Sequence, residues 1–176
     1  FCILLAVLSL MGGVAFADVD QNGKEIIYVP NSHFDGGRVG GDTIADAVVI
    51  GALPYNDTGN NCGFANDYDE VCPYSGSLSG DVVYAIDAGA GCTVNITLCN
   101  GSDYDTKLFV YQDAHTPGAP YACNDDLCPG FVSEIMGLYL AGGSTYYVVV
   151  DGYSSACGNY IIDVTGDCGP TATDSE

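Results

Sequence analysis

"CTVNITLC", residues 92–99, is the stretch that decides the fold. Val94, Ile96 and Leu98 alternate with Thr93, Asn95 and Thr97. A period of two sends successive side chains to opposite faces of a β-strand, here one apolar and one polar. A helix would instead need apolar residues three or four apart. Outward from this segment, short β-branched and aromatic runs recur at 25–29 (EIIYV), 46–51 (DAVVIG), 82–87 (VVYAID), 107–112 (KLFVYQ), 133–140 (SEIMGLYL), 145–151 (TYYVVVD) and 159–165 (NYIIDVT). Clusters of Gly, Asn, Asp and Ser separate them. About eight short strands in turn-rich chain imply an all-β fold, an antiparallel β-sandwich of jelly-roll-like winding. Residues 54–80 are polar throughout and are expected to be a long loop.

The cysteines at both ends of the opening stretch raise the question of compartment. Residues 3–11 form an apolar run, and Ala15-Phe16-Ala17 is a small-x-small site before Asp18. Together they predict a secretory leader over residues 1–17, truncated at its N-terminus because neither an initiator Met nor a basic region precedes it. Such a run is short of the roughly 20 apolar residues of a membrane span, so no stable span is expected in the mature chain. Residues 18–39 then read as an N-terminal segment or linker, 40–166 as the sandwich and 167–176 as a linker or tail. An alternative keeps the apolar N-terminus and makes the chain a structural subunit of an extracellular filament. Pilin-like subunits carry a Glu at the fifth position, where this chain has Leu5.

Of nine cysteines, Cys2 lies in the leader and eight remain. An even number in an exported chain implies a disulfide framework rather than thiols. On one strand Cys92 and Cys99 would stand about 23 Å apart, too far to bridge. The same argument separates Cys157 from Cys168 across the last strand. If their two strands are antiparallel neighbours, Cys99 meets Cys157 and Cys92 meets Cys168. Cys123 and Cys128 enclose Asn124, Asp125 and Asp126, residues that turn tightly, and are expected to clamp that turn. Cys62 and Cys72 are then expected to tie the long loop.

With 23 carboxylates against three Lys and Arg, the net charge is −20. That field repels phosphate backbones and anionic membrane surfaces, which excludes nucleic acid as a partner. It suits either solubility outside the cell or binding of a divalent cation. Calcium takes six to eight oxygens from carboxylates, Asn side chains and loop carbonyls. Asp103 and Asp105 (SDYDT) and Asn124, Asp125 and Asp126 (CNDD) supply them, and converge if strand 107–112 returns through a hairpin. Asn66, Asp67 and Asp69 (NDYD) form a second set. The competing reading is that these side chains cap their own turns. Among the tyrosines, Tyr84, Tyr139 and Tyr160 lie in strand patterns and are expected in the core, while Tyr74, Tyr104, Tyr121 and Tyr153 lie in loops.

Catalytic signatures are missing from the segment. GYSSA (152–156) ends in Ala where a nucleophile elbow needs Gly, and no HExxH occurs. A hydrolytic triad could recruit only His33 or His115. No enzyme is expected here.

In order along the chain stand GGDTIADA (40–47), GDVVYAID (80–87), TVNITLCNGSDYDTKLFVY (93–111), the CNDD turn and LAGGSTYYVVVDGYSSACGNYIIDV (140–164). This succession resembles the bacterial pre-peptidase C-terminal (PPC) domain family. The resemblance implies a β-sandwich accessory module without catalytic residues, on a secreted or cell-surface protein such as a peptidase. Its partners would be other domains of the same polypeptide, or an extracellular protein or polysaccharide. It also extends to the collagen-binding modules of secreted collagenases, some of which bind calcium. The dense cysteines and the absence of Trp depart from that pattern.

Overall fold

The computed structural model describes residues 41–74 and 76–168, with a short antiparallel hairpin of β1 (Phe16–Val19) and β2 (Glu25–Tyr28). The chain divides after Arg38. The leader expected over 1–17 and the tail beyond 168 lie outside the described residues, apart from Phe16 and Ala17.

Nine strands build the second unit: β3 (Val48–Ile50), β4 (Tyr55–Asn60), β5 (Val82–Asp87), β6 (Gly91–Thr97), β7 (Thr106–Gln112), β8 (Ala122–Asn124), β9 (Glu134–Ala141), β10 (Thr145–Gly152) and β11 (Asn159–Gly166). They form two sheets, ordered β3-β5-β10-β7-β8 and β4-β11-β6-β9. From β4 onward, every connection except β7–β8 crosses between the sheets, which is jelly-roll winding. β3 adds an edge strand parallel to β5, whereas the other strand pairs of the two sheets are antiparallel. Among the described residues no helix is long and apolar enough to cross a membrane.

The alternation in the opening stretch is realised: Val94, Ile96 and Leu98 are fully buried. They meet Ile162 and Val164 of β11, and across the sandwich Tyr84, Leu108, Val110, Val148 and Val150. β5, β7 and β10 are apolar on both faces because a second cluster lies on the outer face of their sheet. There Val83, Phe109, Tyr111 and Val149 are covered by Tyr68 from the 61–80 loop.

β4 was legible only as part of a polar loop. Of its three inward positions only Tyr55 packs against the core, and the other two are Asp57 and Gly59. Tyr55 and Tyr84 each donate a hydroxyl hydrogen bond to Asp57 Oδ2, at 3.1 and 3.2 Å. A Cβ on Gly59 would collide with the Tyr160 hydroxyl, itself 2.9 Å from that of Tyr84. Tyr84 and Tyr160 are core residues as expected, but Tyr139 is 58 % exposed. A bulge at Gly137 (φ 64°) shifts the β9 register between Ile135 and Leu138 and turns Tyr139 outward. Tyr104, expected in an open loop, is buried.

One expected disulfide forms and three are replaced. The β6–β11 ladder that pairs Val94 with Gly166 continues to Cys92–Cys168, Cα atoms 4.5 Å apart. Cys157 precedes β11 on the side paired to β4, where Asn159 faces Asn60. It therefore bridges Cys62, at 5.1 Å, and not Cys99. Cys123 lies on β8 opposite Phe109, and the 61–80 loop crossing that outer face brings Cys72 to it, at 6.0 Å. Cys128, past the turn, reaches Cys99 at the end of β6, at 5.9 Å. The Cys62–Cys72 and Cys123–Cys128 clamps are thus both absent, since each cysteine has a partner from a distant segment. Peptide mapping of the unreduced protein is expected to recover these four long-range links, and a 123–128 linkage would contradict this arrangement of loops.

Candidate functional site

β7 and β8 are antiparallel, with Leu108 opposite Asn124. Extending that register past the strand ends brings the Asp105 turn against Asp125 and Asp126. Carboxylate oxygens of the three lie within 4.8 Å of one another. Asp125 is 1 % exposed, yet its Oδ1 has no hydrogen-bond partner, and neither has Asp105 Oδ1. Burial pushes the Asp125 carboxyl up to about 6, Asp126 adds to the rise, and the Lys107 ammonium opposes it. Asp105 is raised by the same causes in the same order.

The five expected calcium ligands therefore divide. Asp105, Asp125 and Asp126 come together, whereas Asp103 and Asn124 are bonded to the first residues of β11 and β9. Asp103 accepts the backbone N–H of Asn159 and its side-chain amide, both at 2.8 Å. Asn124 Oδ1 accepts the Glu134 N–H at 3.0 Å. The second set does not assemble either. Asp69 accepts the Ser77 N–H, and Asn66 reaches the Ser77 carbonyl.

The three carboxylates floor an open cleft of about 550 Å³ whose other lining residues are Tyr74, Phe131 and Tyr153. These rings are 55, 63 and 38 % exposed. Disulfides pin the segments that carry them: Cys72 precedes Tyr74, Cys128 precedes Phe131 and Cys157 follows Tyr153. Phe131 sits at φ 61°, a conformation that strains a side chain with a Cβ. Tyr74 and Tyr153 were legible as loop tyrosines. Phe131 was not singled out, although its place after Gly130 marked the turn.

Behind the cleft, on the outer face of the five-stranded sheet, lies a buried charged row. Asp151 of β10 is opposite Lys107 of β7. The β5–β10 register, which pairs Val82 with Val150, continues to bring Asp81 beside Asp151. All three are 0 % exposed. Asp81 Oδ2 accepts the N–H groups of Asp67 and Tyr68, at 2.6 and 2.8 Å. Asp151 Oδ1 accepts the Ser77 hydroxyl and the Gly152 N–H, at 2.8 and 2.6 Å. The remaining oxygens, Asp81 Oδ1 and Asp151 Oδ2, have no partner. Burial raises both carboxyls, and the neighbouring Asp151 adds to the rise at Asp81. Lys107 donates to the Glu70 carbonyl at 3.0 Å. Sequence reading passed over this row because each member looked like an ordinary strand end. The signal was a charged residue beginning KLFVYQ and another closing TYYVVVD, in strands otherwise apolar on both faces.

His115 lies against the same outer-face cluster. It packs edge-on against Tyr68 and Tyr111, with Nε2 3.7 Å from Glu70 Oε1.

No family model matches the chain, and no curated protein matches it. Among solved structures it is similar to the pre-peptidase C-terminal domain of a collagenase from Bacillus anthracis. That likeness has 17 % identity and a TM-score of 0.44, and covers 67 % of this chain and 93 % of that one.

Proposed function

We propose that this chain is a non-catalytic accessory module of an extracellular or cell-surface protein, and that its working part is the acidic cleft, with Ca²⁺ on the cleft floor. The observation that carries the proposal is the convergence of Asp105, Asp125 and Asp126 with two unpartnered carboxylate oxygens. An unpaired buried carboxylate is costly, and a hard divalent cation takes all-oxygen ligands. Asp105, Asp125 and Asp126 would hold the ion, which would neutralise most of their charge. Four disulfides support an oxidising compartment. The ordered motifs shared with the pre-peptidase C-terminal pattern support the accessory role, with an extracellular protein or polysaccharide as partner.

Calcium at about 100 times its dissociation constant is expected to stabilise the fold by about 2.7 kcal/mol. Thermal melts in chelator and in millimolar calcium test this. The shift should vanish in Asp125→Asn, and an identical melting temperature in both buffers for the unsubstituted chain rules the ion out.

A further inference from the structure

The floor explains the carboxylates of the cleft but not its rim. Three exposed aromatic rings, on three separate loops, border one cleft of about 550 Å³. Exposed aromatics contributed independently to a single concavity are unusual on a surface with no use for them. One of them, Phe131, is kept at φ 61°, where Gly or Asn would sit without strain. The crosslinks beside all three tether the loops that carry the rings before any ligand arrives, which lowers the backbone entropy lost on binding. At the floor, Asp125 lines the cleft at 1 % exposure, has one carboxylate oxygen without a hydrogen-bond partner, and brings a ligand oxygen within 4.8 Å of those of Asp105 and Asp126. The pocket therefore combines flat apolar faces with fixed oxygen acceptors.

Two macromolecular ligands could use such a surface. A basic peptide would place Lys or Arg over the rings and against the carboxylates. With a divalent ion on the floor, however, the carboxylate charge is largely cancelled and an ammonium gains little. Hydroxyl groups remain good ligands, because calcium accepts neutral oxygens in place of water. The C–H faces of a sugar ring suit stacking on Tyr and Phe. The net charge of −20 disfavours uronic or sulfated polymers.

We infer that the cleft binds a neutral polysaccharide, its sugar rings stacked on Tyr74, Phe131 and Tyr153 and its hydroxyls held at Asp105, Asp125 and Asp126. This rests on the cleft being the module's working site.

Affinity electrophoresis through gels containing galactomannan, xylan or hydroxyethyl cellulose tests it, in millimolar calcium and in chelator, with oligolysine as a soluble competitor. At least one neutral polymer is expected to retard the protein in calcium. Phe131→Gly, which accepts the backbone angle, and Tyr153→Ala should each weaken retardation by about tenfold or more, which corresponds to about 1.4 kcal/mol. Both variants should keep the calcium-dependent melting shift, which shows that the floor is intact. Retardation unaffected by the rim variants overturns the inference. So does an absence of retardation by all three polymers in a protein that calcium stabilises, and so does direct binding of oligolysine in their place. Rim-dependent retardation without any calcium shift upholds the polysaccharide and removes the ion alone.

Discussion

Lys107→Met is expected to lower the unfolding free energy by about 3–5 kcal/mol, the cost of removing one partner from a buried charged set. Lys107 is fully buried and opposite Asp151, and its ammonium holds down the carboxyls of Asp151, Asp125 and Asp105. Met keeps an apolar stem but not the ammonium, so the loss reports the charge, its cation–π contact 5.3 Å from the Phe109 ring centroid and the hydrogen bond to the Glu70 carbonyl. Removing both charges together should cost much less than Lys107→Met alone, because no carboxylate on β10 is then left unpaired. Urea unfolding of Lys107→Met, Asp151→Asn and the double variant measures this coupling. Strict additivity of the two single effects would show that the row is not an electrostatic unit.

The second large effect is a loss of stability with rising pH. Asp81 is raised from 3.8 to about 8 and Asp151 from 3.8 to about 7, burial being the main cause at each. Asp67 and Asp69 of the covering loop add negative charge, and Lys107 partly offsets it. Two adjacent carboxyls with one ammonium are expected to retain a shared proton, on the unpartnered oxygens Asp81 Oδ1 and Asp151 Oδ2. Above the ordinary aspartate value the unfolded chain has released that proton while the native chain still holds it. Stability from the pair is therefore complete below the unfolded value of 3.8 and falls as pH rises through the raised native values. Each proton retained corresponds to about 1.4 kcal/mol per pH unit over that interval. Asp125, raised to about 6, acts in the same direction, so a variant is needed to isolate the pair. Asp81→Asn keeps an oxygen for the Asp67 and Tyr68 N–H groups and places a permanent donor toward Asp151. Its advantage over the unsubstituted protein should grow steadily between roughly pH 5 and pH 8 in chelator. Parallel stability curves for the two proteins would show that Asp81 carries no such proton.

The strands were legible because their signal is local. In β5, β6, β7, β10 and β11, β-branched and aromatic residues stand where the backbone must be extended, between residues that turn. β4 and β8 were not, since β4 fills inward positions with Asp57 and Gly59, and β8 is only three residues long. Their fit comes from tyrosine hydroxyls and a neighbouring strand far away in the chain. Likewise, Asp105, Asp125 and Asp126 were identifiable as oxygen donors flanking a strand, whereas only the β7–β8 register separates them from Asp103 and Asn124.

By itself the amino-acid sequence determined the all-β class, the jelly-roll-like winding and the net charge of −20, and it yielded the Cys92–Cys168 link only on the condition that β6 and β11 are antiparallel neighbours. Each follows from side-chain period, composition or the pairing of two recognisable strands. Tertiary structure alone decided the other three disulfides, the aromatic rim and the Asp81–Asp151–Lys107 row. Those depend on which loop crosses which sheet face and on the residue it brings there. A chain that folds back on itself sets such contacts through register and coverage, quantities that no short stretch of residues contains.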